Sequence, residues 1–125
     1  MKEDTDSPYD ALEKIFHEPN RLAIMSALCA ADNGLSFNDL KAECNLTDGN
    51  LNRHLKALEE AGAIRIEKAF VDAKPRTTVF LSKKGLESFS SYLDALSEVL
   101  KKAKRAMPVE RKERAGLPAA VPVKA

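Results

Sequence analysis

Two cysteines and two histidines are a thin supply of metal-binding and nucleophilic groups for a chain of 125 residues. Cys29 and Cys44 both fall on apolar helical stripes, where buried free cysteine is the usual occupant, so neither a metal or redox sensor nor a structural disulfide is expected of them. His17 and His54 each lack a second ligand at i+3 or i+4, and His54 is expected to pack beside Leu51 and Leu58. With only five glycines, the chain has no phosphate-binding glycine loop. A nucleophile elbow and an acid and histidine cluster of metal spacing are missing as well. No cofactor, metal or enzymatic activity is expected, and Glu59 and Glu60 read as a solvated helix face. A signal peptide, a membrane-length apolar run and a lipidation motif are also lacking, which leads to the expectation of a cytoplasmic chain with no membrane partner.

A large basic excess is the last absence. Twenty Lys and Arg against nineteen Asp and Glu leave a net charge of +1, far from what a bulk nucleic-acid binder carries. The charge is unevenly placed, however. Residues 1 to 35 hold Lys2, Lys14 and Arg21 against seven acids, residues 36 to 82 balance, and the basic excess lies beyond residue 82.

What is present centres on Ser36 to Gly62, SFNDLKAECNLTDGNLNRHLKALEEAG. Ser36 is placed to cap a short helix whose stripe is Phe37, Leu40 and Cys44, with Asp39 as a weak capping-box acid. Asn45 and Leu46 break it, Thr47 caps the next helix beside acidic Asp48, and Gly62 stands where a left-handed residue ends that helix. This is a helix-turn-helix. On the second helix Leu51, Leu55 and Leu58 form the core stripe, so at about 100° per residue the outward face carries Gly49, Asn50, Asn52, Arg53 and Lys56. Amides and a guanidinium near a helix N-terminus match base-edge donors and acceptors in a major groove. Gly49 costs roughly 1 kcal/mol in a helix relative to Ala, which close approach of the backbone to a phosphate would explain.

The flanks complete the order. Residues 1–7 are polar and expected to be loose. Ser7 and Pro8 open a helix with Tyr9, Leu12, Ile15 and Phe16 on its apolar side, and Pro19 starts another with Leu22, Met25, Leu28 and Cys29 inward, ended by Asn33-Gly34. After Gly62 the period becomes alternating: Ile64 and Ile66 point one way, Arg65 and Glu67 the other, and Phe70 and Val71 extend the strand. Asp72 to Arg76 read as a polar turn with a basic tip, and Thr77 to Leu81 return as a second strand. Ser82 caps a long helix with a heptad seam of Leu86, Phe89, Leu93, Leu96, Leu100 and Ala103. The aperiodic Pro, Ala and charged residues that follow make 106–125 a disordered tail, leaving 8–105 as one domain.

Helix, helix, helix-turn-helix, β-hairpin and long helix make a mainly α protein with a β-hairpin, the winged helix-turn-helix. The chain resembles the small prokaryotic ArsR/MarR-like winged-helix transcriptional regulators through LTDGNLNRHLKALEEAGAI at 46 to 64, KPRT at 74 to 77 and LSKKG at 81 to 85. The likeness covers about residues 8 to 104. It implies a homodimer whose recognition helices enter successive major grooves of double-stranded DNA while the wings reach phosphate or the minor groove. In that pattern Thr47, Asn50, Asn52, Arg53 and Lys56 belong to the recognition helix and Lys74 and Arg76 to the wing. The metal-sensing residues of ArsR-type relatives, a close cysteine pair or acid and histidine ligands on the last helix, are lacking here, and no effector ligand is indicated.

Two functions from different classes follow. One is a sequence-specific DNA-binding dimer, a repressor, with Leu12, Ile15, Phe16, Leu86, Phe89, Leu93, Leu96 and Leu100 at its dimer interface. The alternative is a winged helix that serves protein interaction or assembly and binds no operator, with which the near-neutral charge is compatible.

Overall fold

The computed structural model describes residues 12–108. The N-terminus expected to be loose, the expected start of the opening helix at Ser7, Pro8 and Tyr9, and most of the expected tail lie outside the described residues. Where the described chain begins, Leu12 to His17 form a hydrogen-bonded turn rather than a helix, closed by the Phe16 and His17 N–H groups on Glu13 C=O at 3.1 Å. The turn serves to drop Phe16 into the core.

Four helices and three strands follow in the order α1 (Pro19–Ala30), β1 (Leu35–Ser36), α2 (Phe37–Cys44), α3 (Asp48–Glu60), β2 (Ile64–Val71), β3 (Lys74–Leu81) and α4 (Lys83–Ala106). Their boundaries are set by short polar side chains. Glu18, Ser36, Thr47 and Ser82 each accept a backbone N–H three residues on, satisfying a donor that a helix start leaves orphaned. α2 ends at Asn45 in the left-handed region, and Gly62 does the same after α3 with φ of 80°. Lys41 and Asp48 form an ion pair of 2.7 Å across the turn between α2 and α3.

The sheet has the order β1-β3-β2, all antiparallel. Two features differ from the sequence expectation. β1 is a two-residue strand that pairs Leu35 with Val79 and Ser36 with Thr78. The hairpin turn is also tighter than five residues: Asp72 and Ala73 alone make it, both at positive φ, and Lys74, Pro75 and Arg76 belong to β3. Pro75 is tolerated there because its partner pair with Phe70 is the non-hydrogen-bonded one next to the turn, and β1 stops short of it.

The core gathers Phe16, Ile24, Met25, Leu28, Leu40, Leu51, Leu55, Leu58, Ala63, Ile64, Val79, Phe89 and Tyr92. Phe16 packs edge-on to Phe89 at 5.2 Å between ring centroids and tilts against Tyr92 at 5.7 Å, so α4 is held to the body by an aromatic cluster. His17 Nδ1 and the Tyr92 hydroxyl share a hydrogen bond of 2.8 Å at its edge. Cys29, expected on the buried stripe of α1, is exposed, and Cys44 is half-buried. The buried side of α1 is Ile24, Met25 and Leu28, which leaves Cys29 at the rim. Among the described residues no helix is long and apolar enough to cross a membrane.

Candidate nucleic-acid interface

α3 is buried along Leu51, His54, Leu55 and Leu58 and exposed at Asp48, Gly49, Asn50, Asn52, Arg53 and Lys56. Its first two turns therefore present a polar face that no other described element covers. Thr47 is engaged as the cap, its hydroxyl accepting the Asn50 N–H at 3.2 Å, so its remaining capacity faces solvent. One turn on, Arg53 Nη2 donates to Asn50 Oδ1 at 3.1 Å. That bond aligns an amide and a guanidinium on one exposed surface. At Gly49 an added Cβ would meet nothing within 4 Å, so the missing side chain answers to no packing need and leaves the helix backbone bare.

Asn52 and Lys56 look the other way, into a groove of about 470 Å³ between α3 and the hairpin, lined also by Phe37, Leu55, Glu59, Ile66, Lys68 and Thr77. Lys68 was not singled out from the sequence, although the alternation that turns Ile64 and Ile66 inward carries Lys68 and Phe70 to the same face of β2. Lys74 and Arg76 pair with Val71 and Ala69, the opposite parity. They line a separate depression with Ser36 to Asp39. The expected wing cations, Lys74 and Arg76, thus share the face turned away from α3, whereas Lys56 and Lys68 share the groove beside it.

Behind the interface, His54 is 2% exposed. Arg21 reaches it from α1: Nη1 lies 3.3 Å from His54 Nδ1, and Nε donates to Ile15 C=O at 2.6 Å. Glu18 Oε1 stands 4.0 Å from the same His54 nitrogen and accepts the Arg21 N–H at 2.8 Å. A guanidinium only donates, so Nδ1 accepts and the neutral ring carries its proton on Nε2, which is buried without a partner. Burial pushes the imidazole below its ordinary value; Glu18 opposes this, and the Arg53 and Arg21 charges add to it. Among the described residues no group of three or more His, Cys, Asp or Glu could hold a metal.

The expected dimer seam divides on α4. Phe89, with Phe16, is spent on the core of the single chain, and Leu96 packs against that core, as Leu12 and Ile15 do. Leu86, Leu93 and Leu100, seven residues apart, are 52%, 41% and 52% exposed.

Comparison with known proteins gives a consistent picture. A family model described as a winged helix DNA-binding domain matches residues 20–100. An uncharacterized protein of Methanocaldococcus jannaschii is 35% identical over 88 residues, covering 70% of this chain and 95% of that protein. The structure of a transcriptional regulator homologue from Pyrococcus horikoshii superposes with a TM-score of 0.70 at 29% identity, over 76% of this chain and 94% of that one. The fold is also that of Staphylococcus aureus MepR in its DNA complex, with a TM-score of 0.65 at 17% identity over 90% of this chain and 91% of MepR.

Proposed function

The chain belongs to the winged helix DNA-binding domain family, and from that premise we propose that it is a sequence-specific double-stranded DNA-binding transcriptional regulator, a repressor, acting as a homodimer. The observation that carries the reading is the free N-terminal half of α3, where Asn50 and Arg53 are aligned on one another and Asn52 and Lys56 line the groove beside the wing. Asn reads adenine and Arg reads guanine in a major groove, each through paired hydrogen bonds. MepR, seen in complex with DNA, has the same fold, which supports duplex DNA as the partner. Thr47, Gly49, Lys74 and Arg76 complete the proposed contacts, on phosphate.

One such module covers too little DNA for tight specific binding, and paired half-sites need paired readers. The Leu86, Leu93 and Leu100 stripe supplies the surface: three exposed leucines one heptad apart on a helix of 24 residues suit a second α4.

A gel shift across a salt series on duplexes selected from a random pool tests the reading. Specific binding that falls steeply with salt is expected, since each phosphate contact releases counterions. The charge of +1 favours the other reading, an assembly module without an operator, which predicts no duplex preference at any salt.

A further inference from the structure

The wing ends in apolar surface where its neighbours are cationic. Phe70 is 78% exposed, the most exposed large hydrophobic side chain among the described residues, and Val71 beside it is 44% exposed. Phe70 stands opposite Pro75 in a non-hydrogen-bonded pair, the arrangement that brings cross-strand side chains closest. Neither side chain packs into the core of the single chain, so the fold itself does not account for a phenylalanine there. The strand alternation fixes where it points: Ile66 against the core, Lys68 at the groove, Phe70 beyond them, all on the face of β2 that looks toward α3. Lys68, Lys74 and Arg76 surround the tip with exposed positive charge, against Asp72 alone in the turn.

We infer that Phe70, backed by Pro75, is an apolar wedge that the wing sets into the minor groove of the DNA held by α3. The inference rests on the DNA-binding reading above and deepens it. A minor groove offers sugar rings and base-pair edges between two phosphate rows, so an apolar tip flanked by cations is complementary to it in both respects. Apolar side chains inserted there part base steps and bend the duplex. Pyrimidine–purine steps unstack most easily, so Phe70 would add a preference for such steps at positions where no hydrogen bond is made. Pro75 limits the freedom of the strand behind it, and a turn of only two residues keeps the tip narrow.

The test uses the full chain and a 30-base-pair duplex selected from a random pool, labelled at both ends for energy transfer. Phe70→Ala should retain the thermal stability of the wild type, because the side chain is exposed. It should bind the duplex about tenfold more weakly with an unchanged salt slope, and should bend it less. Phe70→Leu should restore most of the affinity and the bend. Equal affinity and bend for Phe70→Ala and the wild type would overturn the wedge, as would a loss of affinity accompanied by a flatter salt slope. A change in sedimentation with DNA binding intact would instead assign Phe70 to a protein contact and reject the inference. Were the wild type itself to select no duplex, the DNA reading would fail, which is a separate and distinguishable outcome.

Discussion

Arg21 on α1 and His54 on α3 are joined by a 3.3 Å contact between the guanidinium and Nδ1, and through it the element that carries the outward polar face is tied to the segment before α1. The same guanidinium holds Ile15 C=O. Arg21 lies on the inward side of α1, some 60° from Ile24 by helical spacing, which is how a charged side chain reaches a buried ring.

This pair makes stability depend on pH in a definite direction. His54 titrates below its ordinary 6.5 in the folded chain, so between the two values only the unfolded chain takes up the proton. Stability is full above about pH 6.5 and falls as pH drops, by at most about 1.4 kcal/mol per pH unit for this proton. Urea unfolding at a series of pH values between 5 and 8 should show the loss, and His54→Gln should flatten it. An equal slope in both proteins would place the dependence elsewhere.

Arg53→Ala should leave folding intact, since the residue is exposed and its described hydrogen bond is to exposed Asn50. Specific binding should weaken by about 1 to 3 kcal/mol. The measurement is the ratio of affinities for a selected and a random duplex; an unchanged ratio would remove Arg53 from base reading.

The two faces of the wing give an ordered pair of effects. Lys68→Ala, in the groove with Lys56, should lower the salt slope by about one counterion and weaken binding to every duplex. Arg76→Ala, on the opposite parity, should have the smaller effect. The reverse order would mean that the depression beside α2, not the groove beside α3, meets phosphate.

Association should respond to Leu93→Asp more cleanly than to a charge at Leu96, because Leu96 already packs on the core of its own chain. In the dimer Leu93→Asp buries an unpaired carboxylate at a cost of several kcal/mol. Sedimentation at micromolar concentration should show a wild-type dimer and a folded monomeric variant that no longer binds a selected duplex. A wild-type monomer would leave the exposed leucines as plain surface.

The caps were readable because they are local. Ser36, Thr47 and Ser82 act over three residues, and Gly62 within its own φ. β1 was not readable: a two-residue strand is defined only by its pairing with Val79 and Thr78, more than forty residues away. The turn was misjudged for a physical reason, since Asp72-Ala73 lacks the glycine that usually marks two positive φ values. The α4 seam showed its spacing in the sequence but not its division, because whether a leucine meets its own core or a second chain depends on where Phe16 lands. The face of Lys68 was within reach, since extending the alternation past Ile66 by one step gives it, but its place beside Lys56 depends on how the hairpin packs on α3.

Between α3 and α4 the chain leaves no room to cut. Ser82 donates through its hydroxyl to Gly62 C=O at 2.6 Å and through its N–H to Ala63 C=O at 3.1 Å, and a Cβ at Gly85 would stand 1.9 Å from that same Ala63 oxygen. A recombination breakpoint between residues 62 and 85 that replaced Ser82 or Gly85 would leave the Gly62 carbonyl without its hydroxyl donor or set a Cβ against the Ala63 carbonyl. An exchange of α3 between related chains is therefore expected to succeed best when the first turn of α4 travels with it. On the proposed reading, new specificity can arise by single substitutions at exposed Asn50, Asn52 and Arg53, which take no part in this joint.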